Sequence, residues 1–159
     1  MALGASQDMS PAPETPGLQD LLARFRAGKA PALARAITWV ENQRDGYQDL
    51  LHQLLQAGPR ACRIGLTGPP GAGKSSLVAA LAGAHRQAGE RLGVVAVDPT
   101  SPYSGGALLG DRIRMNELAT DPGIFIRSMA TRGSLGGLAA TTKEVIDLMD
   151  AFGFDRVLV

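Results

Sequence analysis

The sequence lacks several features that mark particular classes of protein. It has a single cysteine in 159 residues, so no internal disulfide can form and a reducing compartment is expected. No apolar run approaches the roughly 20 residues that are needed to span a membrane. The net charge is only +1, and no basic stripe is interleaved with aromatic residues, which disfavours nucleic acid as a partner. These absences favour a cytoplasmic protein without a membrane or nucleic-acid partner.

Aromatic residues are also scarce, at 4%, whereas the chain contains 20 glycines. This balance favours functional loops in which the backbone approaches a ligand closely. The cysteine, Cys62, lies within a predicted strand, and we expect it to be a small buried core residue rather than a nucleophile.

The first part of the chain divides into a tail and a helical module. Residues 1–17 are rich in Pro and lack the basic-then-apolar order of a secretory signal, which predicts a disordered tail. Within residues 18–59, apolar residues at helical spacing predict three helices that are separated by glycines. Trp39 lies near the apolar stripe of the second helix. We expect it to pack in the core, with a partner contact as the alternative.

From Arg60 to the end, residues 60–159, strands alternate with helices. RACRIGLT, RLGVVAV, GIFIRS and DRVLV are predicted strands. A helix over about 74–88 is predicted to turn Leu77, Val78 and Leu81 inward. This alternation predicts an α/β fold, with a parallel sheet that is covered by helices on both faces. Right-handed crossovers would bring the loops after the strands to one edge of the sheet, where ligands bind.

GPPGAGKSS follows the first predicted strand and opens a helix, as the G-x-x-x-x-G-K-[ST] phosphate-binding motif requires. Its glycines allow backbone N–H groups to point at phosphate oxygens, and the helix N-terminus adds positive charge. Lys74 can reach the β- and γ-phosphates, and the Ser75 hydroxyl can bind Mg²⁺. The alternative is a glycine-rich turn that matches by chance. The predicted nucleotide-binding residues are Gly68, Pro69, Pro70, Gly71, Ala72, Gly73, Lys74, Ser75 and Ser76.

Two acids flank the glycine-rich segment that follows the second strand. Asp98 ends that strand beside the phosphate edge, where an acid can hold magnesium or orient the attacking water; the alternative is a turn residue before a proline. Asp111 precedes a predicted short helix over about 112–119, which it could cap. A glycine-rich loop with an acid that responds to the metal and the γ-phosphate is typical of a nucleotide-dependent switch.

Other polar residues carry weaker predictions. Arg132 could neutralise charge in the transition state, while the role of Ser134 could be simply to cap the next helix. Arg112 and Arg114 could contact phosphate or a partner, although such residues are more often solvated. The two histidines, His52 and His85, have no metal-ligand spacing, which favours positions at the surface or at its boundary with the core.

Three stretches together resemble the MeaB/ArgK family of P-loop GTPases. They are GPPGAGKSSLVAAL, VAVDPTSPYSGGALLGDRIRM and FIRSMATRGSLGGLAATTKE. The upstream ALARAITWVEN resembles the N-terminal helices of the same family. The likeness extends from about Leu18 to the end of the chain, and the segment around the two acids is more specific than the phosphate-binding motif.

The resemblance implies a P-loop NTPase fold of the signal-recognition and metal-insertion GTPase type, preceded by a small helical module. It implies hydrolysis of GTP with Mg²⁺ and a homodimer. The expected partner is an adenosylcobalamin-dependent acyl-CoA mutase, typically methylmalonyl-CoA mutase, whose cofactor loading the family gates and which it protects from inactivation. By position, the resemblance implies catalytic roles for Lys74 and Asp98 and metal-side roles for Ser75, Asp98 and Asp111.

The chain departs from the family pattern at its C-terminal end. In the family, a strand like DRVLV leads into an E-T-x-G segment and later into the N-K-x-D segment that reads guanine, and a dimerisation region follows. None of these is in the sequence. The resemblance therefore implies a truncated chain whose residues 60–159 form a partial GTPase domain with an incomplete sheet.

The sequence leaves two other functions open. An ATP-dependent small-molecule kinase would use the same phosphate-binding motif. An older name for the family links the family to an arginine/ornithine transport kinase. A fragment that binds a partner through its N-terminal helices without turnover would not need the motif at all.

Overall fold

The computed structural model describes residues 17–98, 118–130 and 141–159, and structural statements below concern these ranges. The helices are α1 (Leu18–Arg26), α2 (Ala30–Glu41), α3 (Tyr47–Leu54), α4 (Lys74–Gln87) and α5 (Thr142–Phe152). The strands are β1 (Cys62–Ile64), β2 (Leu92–Asp98), β3 (Ile124–Ala130) and β4 (Arg156–Leu158).

The four described strands form one parallel sheet in the order β1-β4-β2-β3. The strand predicted from DRVLV therefore lies between β1 and β2, although it comes last in the chain. One row of the sheet aligns Ile64, Leu158 and Val94. The predicted parallel α/β fold is confirmed.

Helices cover the sheet on both faces. Neighbouring residues of a strand point to opposite faces, so consecutive residues of β2 pack against different helices. Val94 packs in a cluster with Val78 and Ala82 of α4. The next residue, Val95, packs with α5 and the N-terminal helices in a larger cluster. Two-sided cover explains why the predicted strand RLGVVAV is apolar almost throughout.

The N-terminal helices rest on α5 and on the edge strand β3. Phe25 of α1 meets Phe152 of α5 edge to face, with 5.1 Å between the ring centroids. Arg127 of β3 forms an ion pair with Glu41 at the end of α2. Trp39 is buried, as predicted, and its Nε1 donates a hydrogen bond to the Asp45 carbonyl. The division into a module at 18–59 and a domain at 60–159 stays a prediction, because these contacts form one shared core.

Two sequence-based predictions of burial are wrong. Cys62 is exposed, because β1 has a partner strand on one side only within the described residues. Leu77 was expected on the inner face of α4 but is 52% exposed, because the helix turns only Val78 and Ala82 fully inward. Leu81, the third residue of that predicted face, is half-buried against the sheet.

Candidate functional site

The phosphate-binding motif forms an exposed loop between β1 and α4. The residues from Gly68 to Gly73 are all exposed, so a ligand can reach their backbone. Gly73 is the N-cap of α4, and its carbonyl accepts the first helical hydrogen bond from Leu77 at 2.9 Å. No side-chain hydrogen bond caps this helix end. The first-turn N–H groups of a helix have no partner within the helix, so this end suits an anion.

Two glycines are needed here for their backbone conformation. Gly71 and Gly73 have φ values of +78° and +87°, in the left-handed region that side chains disfavour. A Cβ atom at either position would meet no atom within 4 Å. Glycine is therefore required because another residue would strain the backbone, and not because space is short. The left-handed conformation at these two positions sets the direction in which the loop enters α4.

The side chain of Lys74 folds back across the loop. Its Nζ donates hydrogen bonds to the carbonyl oxygens of Gly68 at 2.7 Å and Pro69 at 2.9 Å. A lysine ammonium has three donors, so a further bond to an anion remains available. The cation is thus held over the loop in which the sequence predicts bound phosphate.

The register of the sheet brings Asp98 to the same edge as the loop. Asp98 ends β2 four residues beyond Val94, and Gly68 follows four residues beyond Ile64, which lies in the same row. The two strands are separated only by β4, so their axes lie about 10 Å apart. The end of β2 and the start of the phosphate-binding loop therefore share one edge, which is the arrangement that the sequence predicted.

The residues at this edge fit a magnesium ion. Mg²⁺ prefers oxygen ligands and usually takes only one or two from the protein, with water and phosphate completing the octahedron. Ser75 opens the first turn of α4 and is half-buried, and Asp98 ends the adjacent part of the sheet. Within the described ranges, no group of three or more His, Cys, Asp or Glu residues could hold a metal without a ligand's help. Asp111 lies outside the described residues.

The far end of α4 carries a set of ion pairs that sequence reasoning missed. Arg86 donates from Nε to both carboxylate oxygens of Asp121 at 3.0 Å, and its guanidinium lies so close to Gly123 that a Cβ there would be 2.1 Å from Cζ. The hydrogen bond from Arg86, then the one from the Gly123 N–H, hold the pKa of Asp121 below its usual range. This contact ties the end of the phosphate-loop helix to the turn that leads into β3.

A second pair of contacts joins the same helix end to β4. Glu90 accepts two hydrogen bonds from Arg156 at 2.8 and 3.2 Å, and its Oε2 lies 2.5 Å from His85 Nδ1. The hydrogen bond from Arg156 is the main cause that lowers the pKa of Glu90. The partners are up to 66 residues apart in sequence, so no local pattern indicates them.

The remaining candidates do not join the loop. His52 is exposed on α3, and His85 lies at the opposite end of α4. The predictions for Arg112, Arg114, Arg132 and Ser134 fall outside the described residues. In the ranges that the structure covers, no helix is long and apolar enough to cross a membrane.

Comparison with known proteins agrees with this geometry. A family model described as "Methylmalonyl Co-A mutase-associated GTPase MeaB" matches residues 33–159. A protein of Pyrococcus abyssi that is named as a GTPase is 50% identical over 142 residues, which cover 89% of this chain and 44% of that protein. GTPase ArgK of Escherichia coli is 41% identical over 146 residues, with the same two coverages.

A eukaryotic protein and a solved structure are also similar. The mitochondrial methylmalonic aciduria type A homolog of Mus musculus is 41% identical over 167 residues, covering 91% of this chain and 40% of that protein. A crystal structure of LAO/AO transport system kinase matches with a TM-score of 0.68 at 29% identity, covering 94% of this chain and 44% of that one. The chain thus spans less than half the length of these proteins.

Proposed function

The chain belongs to the MeaB family of methylmalonyl Co-A mutase-associated GTPases, as its motifs indicated, and we propose that it binds GTP with Mg²⁺ and takes part in its hydrolysis. The relatives are more than twice its length, so the activity of the whole protein enters as part of this proposal. The single observation that carries it is the exposed loop at 68–73, over which Lys74 is held by two carbonyls.

Different groups of the loop would bind different parts of the triphosphate. Backbone N–H groups of the loop and of the first turn of α4 would hold phosphate oxygens, with help from the positive end of the helix. Lys74 would exchange its carbonyl partners for β- and γ-phosphate oxygens. A charged donor forms stronger hydrogen bonds with an anion than with a neutral carbonyl, which favours this exchange.

Magnesium would be held by the Ser75 hydroxyl and, directly or through water, by Asp98 and Asp111. When bound with the nucleotide, it offsets the negative charge of the β- and γ-phosphates. Asp98 would also orient the attacking water, because it ends a strand at the phosphate edge. The loops at 98–115 and 131–137, which lie almost wholly outside the described residues, would respond to the nucleotide state and relay the change to the partner.

The proposed partner is a cobalamin-dependent acyl-CoA mutase. The family description and the name of the mouse relative support this assignment. In this role the protein acts as a chaperone: it gates loading of the cofactor and protects the mutase from inactivation, as a cytoplasmic homodimer. GTP hydrolysis would set the timing of these steps.

Nucleotide binding provides the direct test. Fluorescent GTP should bind the full-length protein, which in the family includes the guanine-reading segment, in the presence of Mg²⁺, and unlabelled GTP should displace it better than ATP. Removing Mg²⁺ with EDTA should weaken binding, and Asp98→Asn should reduce the dependence on Mg²⁺. Equal displacement by GTP and ATP from the full-length protein, or binding that is unchanged by EDTA, would contradict the proposal.

The name of the similar crystal structure supports one alternative, an ATP-dependent small-molecule kinase. This activity would use the same loop but would need a pocket for the acceptor and a base. Incubation with γ-labelled ATP and arginine distinguishes the two. Transfer of label to arginine would favour the kinase, and release of inorganic phosphate alone would favour hydrolysis.

A further inference from the structure

A cavity of about 470 Å³ opens between α1 and α2, on the N-terminal helices and away from the phosphate-binding loop. Its floor includes Leu21 and Ala32, which are buried members of the main core, so the floor is fixed by the packing beneath it. Its rim is made by longer polar side chains and one proline. The lining residues are Asp20, Leu21, Arg24, Lys29, Pro31, Ala32 and Arg35.

The rim of this cavity is positively charged. Asp20 is its only acid and already accepts a hydrogen bond from Arg24 at 3.0 Å. Lys29 and Arg35 form no ion pair with any described residue, and both are exposed. The three cations and one acid give a formal charge of +2 over an apolar floor.

Hydrogen bonds of the backbone at Lys29 and a ring contact at Arg35 restrain the two unpaired cations. Lys29 follows the left-handed Gly28, which has a φ of +70°, and its N–H donates to the Arg24 carbonyl at 3.1 Å. The Lys29 carbonyl in turn accepts a hydrogen bond from Ala32 at 2.8 Å, so the turn between the helices is held on both sides. The guanidinium of Arg35 lies 6.0 Å from the centroid of the Trp39 ring, a cation–π contact that restrains it.

We propose that this cavity binds an acidic, partly apolar segment of the mutase partner. The inference rests on the proposed function, because it identifies where that partner docks. An acidic segment with apolar side chains complements both the charged rim and the floor. Exposed rim charges steer the approach of a large partner. A small anion is instead usually held by convergent, buried polar groups, and the described lining includes no buried polar side chain.

The test measures binding of purified methylmalonyl-CoA mutase from the source organism to the full 159-residue chain. The variant Lys29→Glu/Arg35→Glu reverses both unpaired charges of the rim. Arg44→Glu is a charge-reversal control, because Arg44 is an exposed cation in the turn between α2 and α3 and lies outside the cavity. Affinity and its salt dependence are measured for each protein, together with Mg²⁺–GTP binding and the far-ultraviolet circular dichroism spectrum.

The proposal predicts that the double variant weakens mutase binding by about tenfold or more and flattens its salt dependence. The control should bind nearly as well as the wild type, and GTP binding should be unchanged in both. Equal binding by the wild type and the double variant would overturn the docking site while leaving the proposed function standing. Equal losses in the double variant and the control would also overturn it, because net charge alone would then explain the effect.

Other occupants give different outcomes. If pyrophosphate binds the wild type but not the double variant while mutase binding is equal, the cavity is a small-anion site and the proposal is wrong. If the double variant changes only the oligomeric state in light scattering, the occupant is a second copy of the chain and the proposal is also wrong. If the wild type binds GTP but no mutase, the partner assignment itself fails, and the docking site fails with it.

Discussion

Lys74 Nζ donates a hydrogen bond to the carbonyl oxygen of Gly68, six residues earlier, at 2.7 Å. The chain thus uses its own carbonyls to hold the cation where the motif predicts phosphate. Because the partners are neutral, exchanging them for an anion is electrostatically favourable. This contact pre-positions the lysine, so less side-chain freedom is lost when a nucleotide binds.

Replacing this lysine should weaken nucleotide binding without unfolding the chain. We expect Lys74→Ala to weaken binding of Mg²⁺–GTP by about 10- to 100-fold, the usual value of a hydrogen bond between charged groups. The measurement is titration with fluorescent GTP. Lys143→Ala is the control, because Lys143 is an exposed lysine in the first turn of α5. If both variants bind like the wild type, the loop is not the phosphate site.

Replacement of Gly73, the left-handed glycine at the start of α4, should affect both stability and nucleotide binding. At Gly73, with a φ of +87°, alanine would cost about 1 to 2 kcal/mol in backbone strain. We expect Gly73→Ala to lower both the free energy of unfolding and the affinity for GTP. Gly83→Ala, within the same helix and with no atom within 4 Å of the added Cβ, should instead stabilise by about 0.5 to 1 kcal/mol. Urea denaturation measures the free energy of unfolding of both variants, which should fall in Gly73→Ala and rise in Gly83→Ala.

The sequence allowed the parallel sheet, the loop and the helix after it to be predicted, because each of these depends on local pattern. Apolar strands alternate with helices, and the glycine-rich motif has a strand before it and a helix after it. Asp98 could also be assigned to the phosphate edge, since a parallel sheet brings the ends of its strands together.

Burial and long-range pairing could not be predicted in the same way. Cys62 and Leu77 belong to apolar patterns, but which side of an element is covered depends on segments far away in sequence. The bond between Arg60 and Asp150 joins residues 90 positions apart, and that between Arg86 and Asp121 joins residues 35 apart. No periodicity in the sequence indicates such partners. The contacts that anchor the chain where it enters β1 and β3 are therefore visible only in the structure.

The close approach of α5 to the sheet should make a strand glycine irreplaceable. A Cβ at Gly93 of β2 would lie 2.6 Å from Sδ of Met149 and 3.4 Å from its Cβ. Because Met149 is fully buried, we expect Gly93→Ala to cost about 1 to 3 kcal/mol by overpacking. Denaturant titration measures this loss.

Two comparisons test the cause of that loss. Gly65→Ala adds a methyl group after β1 where no atom lies within 4 Å, so it should be much less destabilising. In a Met149→Ala background, Gly93→Ala should cost much less than in the wild type, because the methionine sulfur is gone. Additive losses in the double variant would show that the close contact is not the cause.

The carboxylate of Asp150 should make the free energy of unfolding depend on pH in the acidic range. It accepts hydrogen bonds from the N–H groups of Arg60 at 2.9 Å and Ala61 at 3.0 Å, and from Arg63 at 2.9 Å. Burial alone would raise the pKa of Asp150, but these donors outweigh it and leave the pKa below its usual range. A lowered folded-state pKa means that this stabilisation is complete above the unfolded-state pKa of about 4 and is lost as the pH falls below it.

We therefore expect Asp150→Asn to lower the free energy of unfolding at pH 7 by about 2 kcal/mol, because the charged acceptor is lost. The wild type should lose its advantage over this variant progressively as the pH falls below the unfolded-state pKa of about 4, and the loss should continue until Asp150 is protonated in the folded state as well. Asp49→Asn, an exposed carboxylate on α3, should leave the pH profile nearly unchanged. If the gap between wild type and Asp150→Asn stays constant down to pH 3, the Asp150 carboxylate does not anchor the chain where it enters β1.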